Sequence, residues 1–533
     1  MADTIPAPPG LGGLSMITIY DTTLRDGTQR EGMSLSVEDK LRIVRRLDDL
    51  GVHFIEGGFP GSNPKDIEFF ERVHSLDLKT AVVSAFGSTR RKDVAAADDP
   101  GLAALLATGC DAVCIVGKAW DLHVTEALGA TLEQNLEMVS ESVTHLKAAG
   151  RTVFLDAEHF FDGYAANPEY ALAVCRAAAD AGVDAVVLCD TNGGTLPQDV
   201  SRVVAAIAPH VGAPLGIHTH NDAGCAVANT LLAVEAGCTH VQGTINGYGE
   251  RAGNADLTAI IPALALKMGF ECVSRDQLHL LTEVSHFVAE TANLSPYPQQ
   301  PYVGTSAFAH KGGLHASAND RLAGAYEHID PAAVGNLARV VVSELAGRAS
   351  LAMKAKELGI DLSADPAVIG DVLETVKELE HHGYTFEAAD ASLEILMRKK
   401  TGTYTPLFTL ESFRCIMEKR EDGRVMTEAT IKLFVQGERF VATGEGNGPV
   451  NALDRALRLA IGRFYPALER IELTDFKVRV LDEKKGTGAV TRVLIVSDDG
   501  TRSWGTVGVS ENIIEASWEA LVDSIEYGLT RKG

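Results

Sequence analysis

From Met16 to about residue 290, short runs rich in β-branched residues alternate with longer amphipathic stretches, and this alternation sharply limits the possible folds. The predicted strands are Ile17–Tyr20, Phe54–Gly57, Thr80–Ala85, Ala112–Val116, Val153–Ala157, Ala185–Cys189, Leu215–Thr219 and Val241–Ile245. Between them lie helical stretches at Val37–Leu50, Pro64–Ser75, Leu132–Ala149, Pro168–Ala181, Pro197–Ala208 and Ala223–Ala236. Several run into a glycine (Gly51, Gly150, Gly182, Gly237), the usual signal for a helix end. Eight such strand–helix units over about 270 residues predict a (β/α)8 barrel, an α/β fold in which a parallel sheet closes on itself. A doubly wound open sheet is the competing architecture, but no strand leads into a Gly-X-Gly-X-X-Gly turn.

A barrel gathers the C-terminal ends of its strands on one face, and polar residues fall at those ends. The first strand runs into Asp21-Thr22-Thr23-Leu24-Arg25-Asp26-Gly27, and the second ends in Glu56-Gly57-Gly58-Phe59-Pro60. The fifth ends in Asp156-Ala157-Glu158-His159 and the sixth in Asp190-Thr191-Asn192. The seventh carries His218 and His220, and the eighth leads into Asn246–Asn254. Histidines two apart on a strand project to the same side, in the manner of two imidazoles sharing a metal ion. Taken alone, such a pair is equally an ordinary polar strand end. With Asp26 and the Asn254 amide it becomes a mixed nitrogen and oxygen set suited to Mn2+, Mg2+ or Zn2+. An ion held there would leave positions open for the oxygens of a 2-oxo acid. Arg25 either stabilises negative charge developing on an enolate or alkoxide, or forms a salt bridge to Glu56 or Glu158. The Thr191 hydroxyl either donates to a substrate carboxylate or caps the following helix.

Composition removes several other functions. A chain of 533 residues implies two or three domains, and 46% hydrophobic with 23% charged residues is an ordinary soluble balance. The net charge of −24 argues against nucleic acid or an anionic membrane as partner, but not against small anions. The eight cysteines are scattered without a Cys-X-X-Cys pair, so a zinc ribbon or disulfide framework is not expected and a reducing cytoplasm fits. Cys110 and Cys114 read as small core residues. Residues 1–15 are Pro/Gly-rich, lack a signal-peptide pattern and read as a flexible tail. No run approaches the roughly 20 apolar residues of a membrane span.

Three motifs then resemble a known group: Asp21-X-Thr-Leu-Arg-Asp-Gly-X-Gln29, the His218-X-His220 pair, and Gly247-Tyr248-Gly249-Glu250-Arg251-X-Gly-Asn254. Together they are similar to the signatures of the DRE-TIM metallolyase superfamily, and within it the chain resembles the acetyl-CoA-dependent 2-oxo-acid synthases. Gly57–Asp66 and Lys118–Val124 are similar to the long-form (R)-citramalate synthases rather than the isopropylmalate synthases. The resemblance implies acetyl-CoA as donor and pyruvate as acceptor, giving (R)-citramalate and CoA for isoleucine biosynthesis. It implies Asp26, His218 and His220 as metal ligands, with Asn254 a further ligand or close neighbour. Arg25 would steady the oxyanion and Thr191 would meet the substrate carboxylate. Glu158 would be a catalytic glutamate, although Asp156-Ala157-Glu158-His159-Phe160 departs from the isopropylmalate-synthase pattern. In Ala307–Ser317, His315 would be the acid/base residue with Tyr326 in support, and His310 is the alternative to His315. A small acceptor calls for bulk to close its pocket, for which Phe59 and Trp120 are the candidates.

Pro296, Pro298 and Pro301 mark the end of the barrel region, so residues 16–290 form the catalytic domain. Residues 291–400 read as a connector with helices at Ala349–Leu358 and Pro366–His381. Residues 401–533 turn to strands at Phe408–Met417, Thr427–Val435, Arg439–Thr443, Thr474–Val480, Thr491–Ser497 and Arg502–Val509, with helices at Val450–Phe464 and Ile513–Tyr527. Gly444, Ala452, Ala456, Leu457 and Ile461 recur at constant spacing as Gly508, Ala516, Ala520, Leu521 and Ile525, an internal βββα duplication in an α+β domain. Such a module holds a small ligand between its halves or builds a dimer interface. The resemblance implies an allosteric regulatory domain, with isoleucine, or else leucine, as effector of a homodimer. The alternatives are a 2-isopropylmalate synthase acting on 2-oxoisovalerate, a 3-hydroxyacyl-CoA lyase, and a non-catalytic metabolite sensor on a decayed barrel. The sensor is disfavoured by the intact set Arg25, Asp26, Glu158, His218 and His220. A biotin-linked carboxyltransferase is disfavoured by the absence of Ala-Met-Lys-Met.

Overall fold

The computed structural model describes residues 16–61, 63–310, 327–340, 348–360, 366–419, 421–481 and 488–530. Eight parallel strands close into a barrel in sequential order: β1 (Thr18–Asp21), β2 (Phe54–Gly58), β3 (Val82–Ser88), β4 (Ala112–Lys118), β5 (Thr152–Glu158), β6 (Ala185–Asp190), β7 (Leu215–Thr219) and β8 (His240–Gly243). The β8 strand pairs back onto β1, so the sheet has no edge. The predicted (β/α)8 barrel is the fold. One strand is displaced: β3 starts at Val82 rather than Thr80. The backbone N–H groups of Lys79, Thr80 and Ala81 donate to the Asp48 carboxylate, which takes them out of the ladder.

The helices form where the sequence supplies both a start and an apolar face. Val37–Leu50 opens on a Ser36–Asp39 capping box and stops at Gly51, whose φ of 88° suits glycine. The predicted Pro197–Ala208 helix runs on to Val211, with Pro209 inside its last turn. Pro100–Ala107 was not anticipated, because its Ala/Leu-rich sequence is apolar all round and carries no period. Asp99 fixes its start by accepting from the N–H groups of Gly101 and Leu102. Among the described residues no helix is long and apolar enough to cross a membrane.

Alternate residues of each strand face the barrel interior, and the interior is layered. At the N-terminal end Tyr20, Phe54, Phe154 and His240 pack together, with ring centroids 4.9 Å apart for Phe54–Phe154 and 4.7 Å for Phe154–His240. Above this plug the lining is polar, from Glu56, Ser84, Asp156 and Gln242, all buried. The Tyr20 hydroxyl joins the layers, lying 3.1 Å from Glu56 Oε1 and 3.0 Å from Ser84 Oγ.

The chain divides into two compact units. The first is the barrel through Phe308 together with Glu327–Leu337, and most of the second begins at Ala338. In the second, helices Arg348–Glu357 and Pro366–His381 are as expected to within a residue, and a further helix at Asp390–Lys400 was missed. Two repeats follow. The first is β9 (Thr409–Lys419), β10 (Val425–Val435), β11 (Glu438–Gly446) and helix Pro449–Ile461; the second is β12 (Glu472–Val480), β13 (Thr491–Asp498), β14 (Ser503–Ser510) and helix Ile513–Thr530. Each repeat forms its own three-stranded antiparallel sheet. The duplicated glycines have a shared cause. A Cβ on Gly444 would run into the Ala452 carbonyl and the Ala456 N–H, and a Cβ on Gly508 would run into the matching groups of Ala516 and Ala520. In both halves the last strand touches helix backbone, and only glycine allows it. Gly508→Ala is expected to cost about 1–3 kcal/mol by overpacking. Calorimetry of the full chain should show the second unit's transition falling while the barrel's stays, and an unchanged trace would refute the contact.

Candidate active site at the barrel mouth

The loop after β1 is locked before it presents any chemistry. Asp21 accepts from the N–H of Thr23 (2.9 Å) and its hydroxyl (2.8 Å), and Thr23 Oγ1 accepts from the Ile245 N–H (2.9 Å). This anchors Arg25 and Asp26 across from the segment that follows β8. Arg25 Nε donates to Glu56 Oε2 at 2.5 Å, Nη1 lies 3.3 Å from Asp26 Oδ2, and the guanidinium sits 3.8 Å over the Phe86 ring. Burial works against its charge, but Glu56 and Asp26 outweigh burial and hold it above the ordinary arginine range. Of the two salt bridges considered for Arg25, the one to Glu56 forms. Glu158 is instead paired with Lys118, which lies opposite it in register on β4.

His218 and His220 project to the same side as their spacing predicts. Their Nε2 atoms are 3.3 Å apart, and Asp26 Oδ2 lies 3.3 Å from His218 Nε2 and 3.9 Å from His220 Nε2. Ligands about 2.1 Å from one ion sit about 3.0 Å apart when octahedral and about 3.4 Å apart when tetrahedral, so this buried triangle is close to the size of a metal-ligand face. Asp26 Oδ1 and Asn254 Oδ1 are buried without a hydrogen-bond partner among the described residues, as oxygens available to a cation would be. Asn254 is bridged through its backbone to His220, and its Nδ2 donates to the Tyr248 carbonyl at 3.1 Å. Gly249 makes room for that amide, since a Cβ there would collide with Nδ2. The ionisation of Asp26 and His220 suits a cation, while a cation would take the place of the proton that Asp26 favours on His218. Burial opposes the Asp26 charge, but Arg25 and His218 hold it well below the usual carboxylate range. Burial, aided by His218, pushes His220 down to about 4, leaving a neutral imidazole. Burial also pulls His218 down, but the hydrogen bond and charge of Asp26 more than offset it, and its pKa is raised. The residues therefore fit a divalent ion.

Around the triangle is a cavity of about 260 Å³ that brings together Arg25, Asp26, Glu158, Thr191, His218 and His220. Thr191 Oγ1 accepts from the His159 N–H at 2.9 Å, so its own proton is available to the cavity. The next helix starts after Leu196 without a side-chain cap, so Thr191 does not cap it. His315 and Tyr326 lie outside the described residues, as does the 1–15 tail; His310 sits in a two-residue strand paired with Val340.

The bulk closing the cavity is not where the sequence reading put it. Phe59 packs edge-on against Phe86 at 5.7 Å and faces a neighbouring cavity, and Trp120 stacks on His123 at 4.7 Å. The wall is Phe86, Val116 and Cys189 instead. Phe86 is two residues beyond Ser84 and Val116 two beyond Cys114, so both inherit the inward face. A strand ending at Ala85 would leave Phe86 in a loop, whereas β3 runs on to Ser88. The Gly57–Asp66 stretch supports this wall from behind: Asp66 accepts from Lys40 Nζ at 2.6 Å and from the Phe59 N–H at 2.9 Å. Lys118 and Gln242 were also missed as site residues; strand register locates both.

Comparison with known proteins gives three consecutive family-model matches. They are HMGL-like over residues 16–288, Homocitrate synthase post-HMGL domain-like over 302–383, and LeuA allosteric (dimerisation) domain over 387–529. The chain is 56% identical over 517 residues to an (R)-citramalate synthase of Streptomyces coelicolor, covering 97% of each chain. It is 53% identical to an (R)-citramalate synthase of Geobacter sulfurreducens, covering 97% of this chain and 98% of that one. A 2-isopropylmalate synthase of Methanocaldococcus jannaschii is 31% identical, covering 97% of this chain and 95% of that one.

Removing Glu56 leaves the Arg25 guanidinium buried with only Asp26 beside it. Glu56→Ala should therefore cost about 3 kcal/mol in urea unfolding, the penalty of breaking a buried ion pair from one side. A loss below about 1 kcal/mol, the range of an exposed pair, would show that Asp26 alone holds Arg25.

Proposed function

Because the chain belongs to the family of (R)-citramalate synthases, we propose that it condenses acetyl-CoA with pyruvate and water to give (R)-citramalate and CoA. Within the site, the observation that carries the choice of acceptor is the wall of Phe86 and Val116, which closes a small cavity beside Arg25 and Thr191. In this reading the methyl group of the acceptor packs against that wall, where a branched side chain would need more of the same space.

In this reading Asp26, His218 and His220 hold a divalent ion (Mn2+, Mg2+ or Zn2+), with Asn254 as further ligand or close neighbour. The ion supplies Lewis acidity toward the carbonyl and carboxylate of the acceptor. The chain's own residues do the rest. Arg25, fixed by Glu56 and Phe86, presents a cation to the oxygen that becomes negative as the new C–C bond forms. Thr191 donates its free hydroxyl proton to the pyruvate carboxylate. Glu158, held by Lys118, is the carboxylate of the proton-transfer chemistry, and His315 with Tyr326 supplies the acid/base function. The acetyl methyl carbon loses a proton and bonds to C2 of pyruvate, whose oxygen gains a proton; water then cleaves the thioester and CoA leaves.

The C-terminal unit carries an allosteric and dimerisation domain. We propose isoleucine as its effector, leucine being second, and a homodimer as the assembly. The support is a cleft between the two repeats lined by Asn451, Asp454, Glu469, Ile471, Glu472, Leu473 and Phe476. The start of the Pro449–Ile461 helix offers N–H groups to a carboxylate, the acidic side chains suit an ammonium, and the apolar ones suit a branched side chain.

A CoA-release assay should favour pyruvate over 2-oxoisovalerate by at least about tenfold in kcat/KM. Chelator should abolish the release and a divalent ion restore it. A preference for 2-oxoisovalerate would overturn the acceptor, and chelator-resistant activity would overturn the metal. Isoleucine should inhibit, and Phe476→Arg should raise the half-inhibiting concentration at least about tenfold by setting a charge against its side chain. Unaltered inhibition in that variant would place the effector elsewhere.

A further inference from the structure

The ring nitrogen of His218 that faces away from Asp26 meets a residue with no part in the chemistry above. His218 Nδ1 lies 2.9 Å from Gln242 Oε1, and Gln242 Nε2 donates to Asp156 Oδ1, also at 2.9 Å. Gln242 is wholly buried on β8, and Asp156 and His218 are buried on β5 and β7, so water does not compete for these bonds. The direction of the chain follows from its far end. A carboxylate at position 156 only accepts, so the amide turns its NH2 toward it and its oxygen toward His218. That oxygen also only accepts, so the ring proton sits on Nδ1. In the neutral ring the lone pair is then on Nε2, the atom 3.3 Å from both Asp26 Oδ2 and His220 Nε2.

We propose that Asp156 and Gln242 are positioning residues that fix His218 as its Nδ1–H tautomer and so preorganise the Asp26–His218–His220 triangle for a divalent ion. The inference rests on the metal reading given above. A ligating histidine whose other nitrogen is held keeps both its tautomer and its ring orientation, and loss of that partner typically weakens metal binding. A neutral amide in the middle is the sensible choice here. A carboxylate at 242 would face the Asp156 carboxylate at hydrogen-bond distance inside the barrel.

The test is Mn2+ affinity, by titration calorimetry and electron paramagnetic resonance on the full chain, so that it does not depend on turnover. Wild type should bind one Mn2+ per chain and His218→Ala should not; failure of wild type to bind any divalent ion overturns the metal reading and this inference with it. Gln242→Met keeps length and removes the acceptor, and should weaken Mn2+ binding about 10- to 100-fold. The double change Asp156→Asn with Gln242→Glu exchanges the two groups: the bond between 156 and 242 reverses, but position 242 still accepts from His218 Nδ1, so most of that loss should be recovered. Wild-type affinity in folded Gln242→Met overturns the inference while leaving the metal reading intact. If Gln242→Met does not fold, the double variant decides: affinity within about threefold of wild type supports the inference, and a loss of tenfold or more overturns it.

Discussion

Every second residue of eight strands must share one narrow space, and that constraint governs the rest of the barrel. Below, the space is sealed by Tyr20, Phe54, Phe154 and His240, so polar groups above the seal cannot turn to water from that side. Each finds a partner across the barrel: Glu56 takes Arg25 and lies against the Tyr20 hydroxyl, and Asp156 takes Gln242, which meets His218. An unpaired polar group at such depth costs several times what a hydrogen bond returns, so these contacts are mutually dependent. Among the atoms left over are Asp26 Oδ1 and Asn254 Oδ1, beside the His218 and His220 imidazoles. They are gathered where a cation would sit.

How much of this was legible in the sequence depended on whether a feature is local. The alternation of strands and helices and the His218–His220 pair are local patterns, and the structure has the strands within a few residues of where they were expected. The β3 strand slipped because the Asp48 side chain, more than 30 positions away, captures three backbone N–H groups. With that slip went Phe86, and the wall of the cavity was assigned to loop aromatics instead. Gln242 and Lys118 were invisible for a related reason. Each matters only through the residue it faces on another strand, and composition does not encode register.

The C-terminal unit shows the same distinction. Its duplication was readable because two backbone-to-helix contacts each demand a glycine at the same place in the repeat. The Asp390–Lys400 helix was not, since its support is tertiary. Leu393 and Met397 pack beside Val507, and the Ser392 hydroxyl donates to Asp523 on the last helix. Tyr384 and Tyr404, flanking that helix, donate to Glu519 and Glu526 of the same last helix. Three hydroxyls and three carboxylates thus tie the helical segment to the second repeat.

The aromatic seal at the bottom of the barrel has a kinetic consequence. A well closed below fills and empties through its mouth alone. Whatever must lie deepest, against Phe86, Val116 and the Asp26–His218–His220 triangle, has to arrive before a longer molecule settles across the opening. A small acceptor therefore reaches the triangle only while that opening is clear.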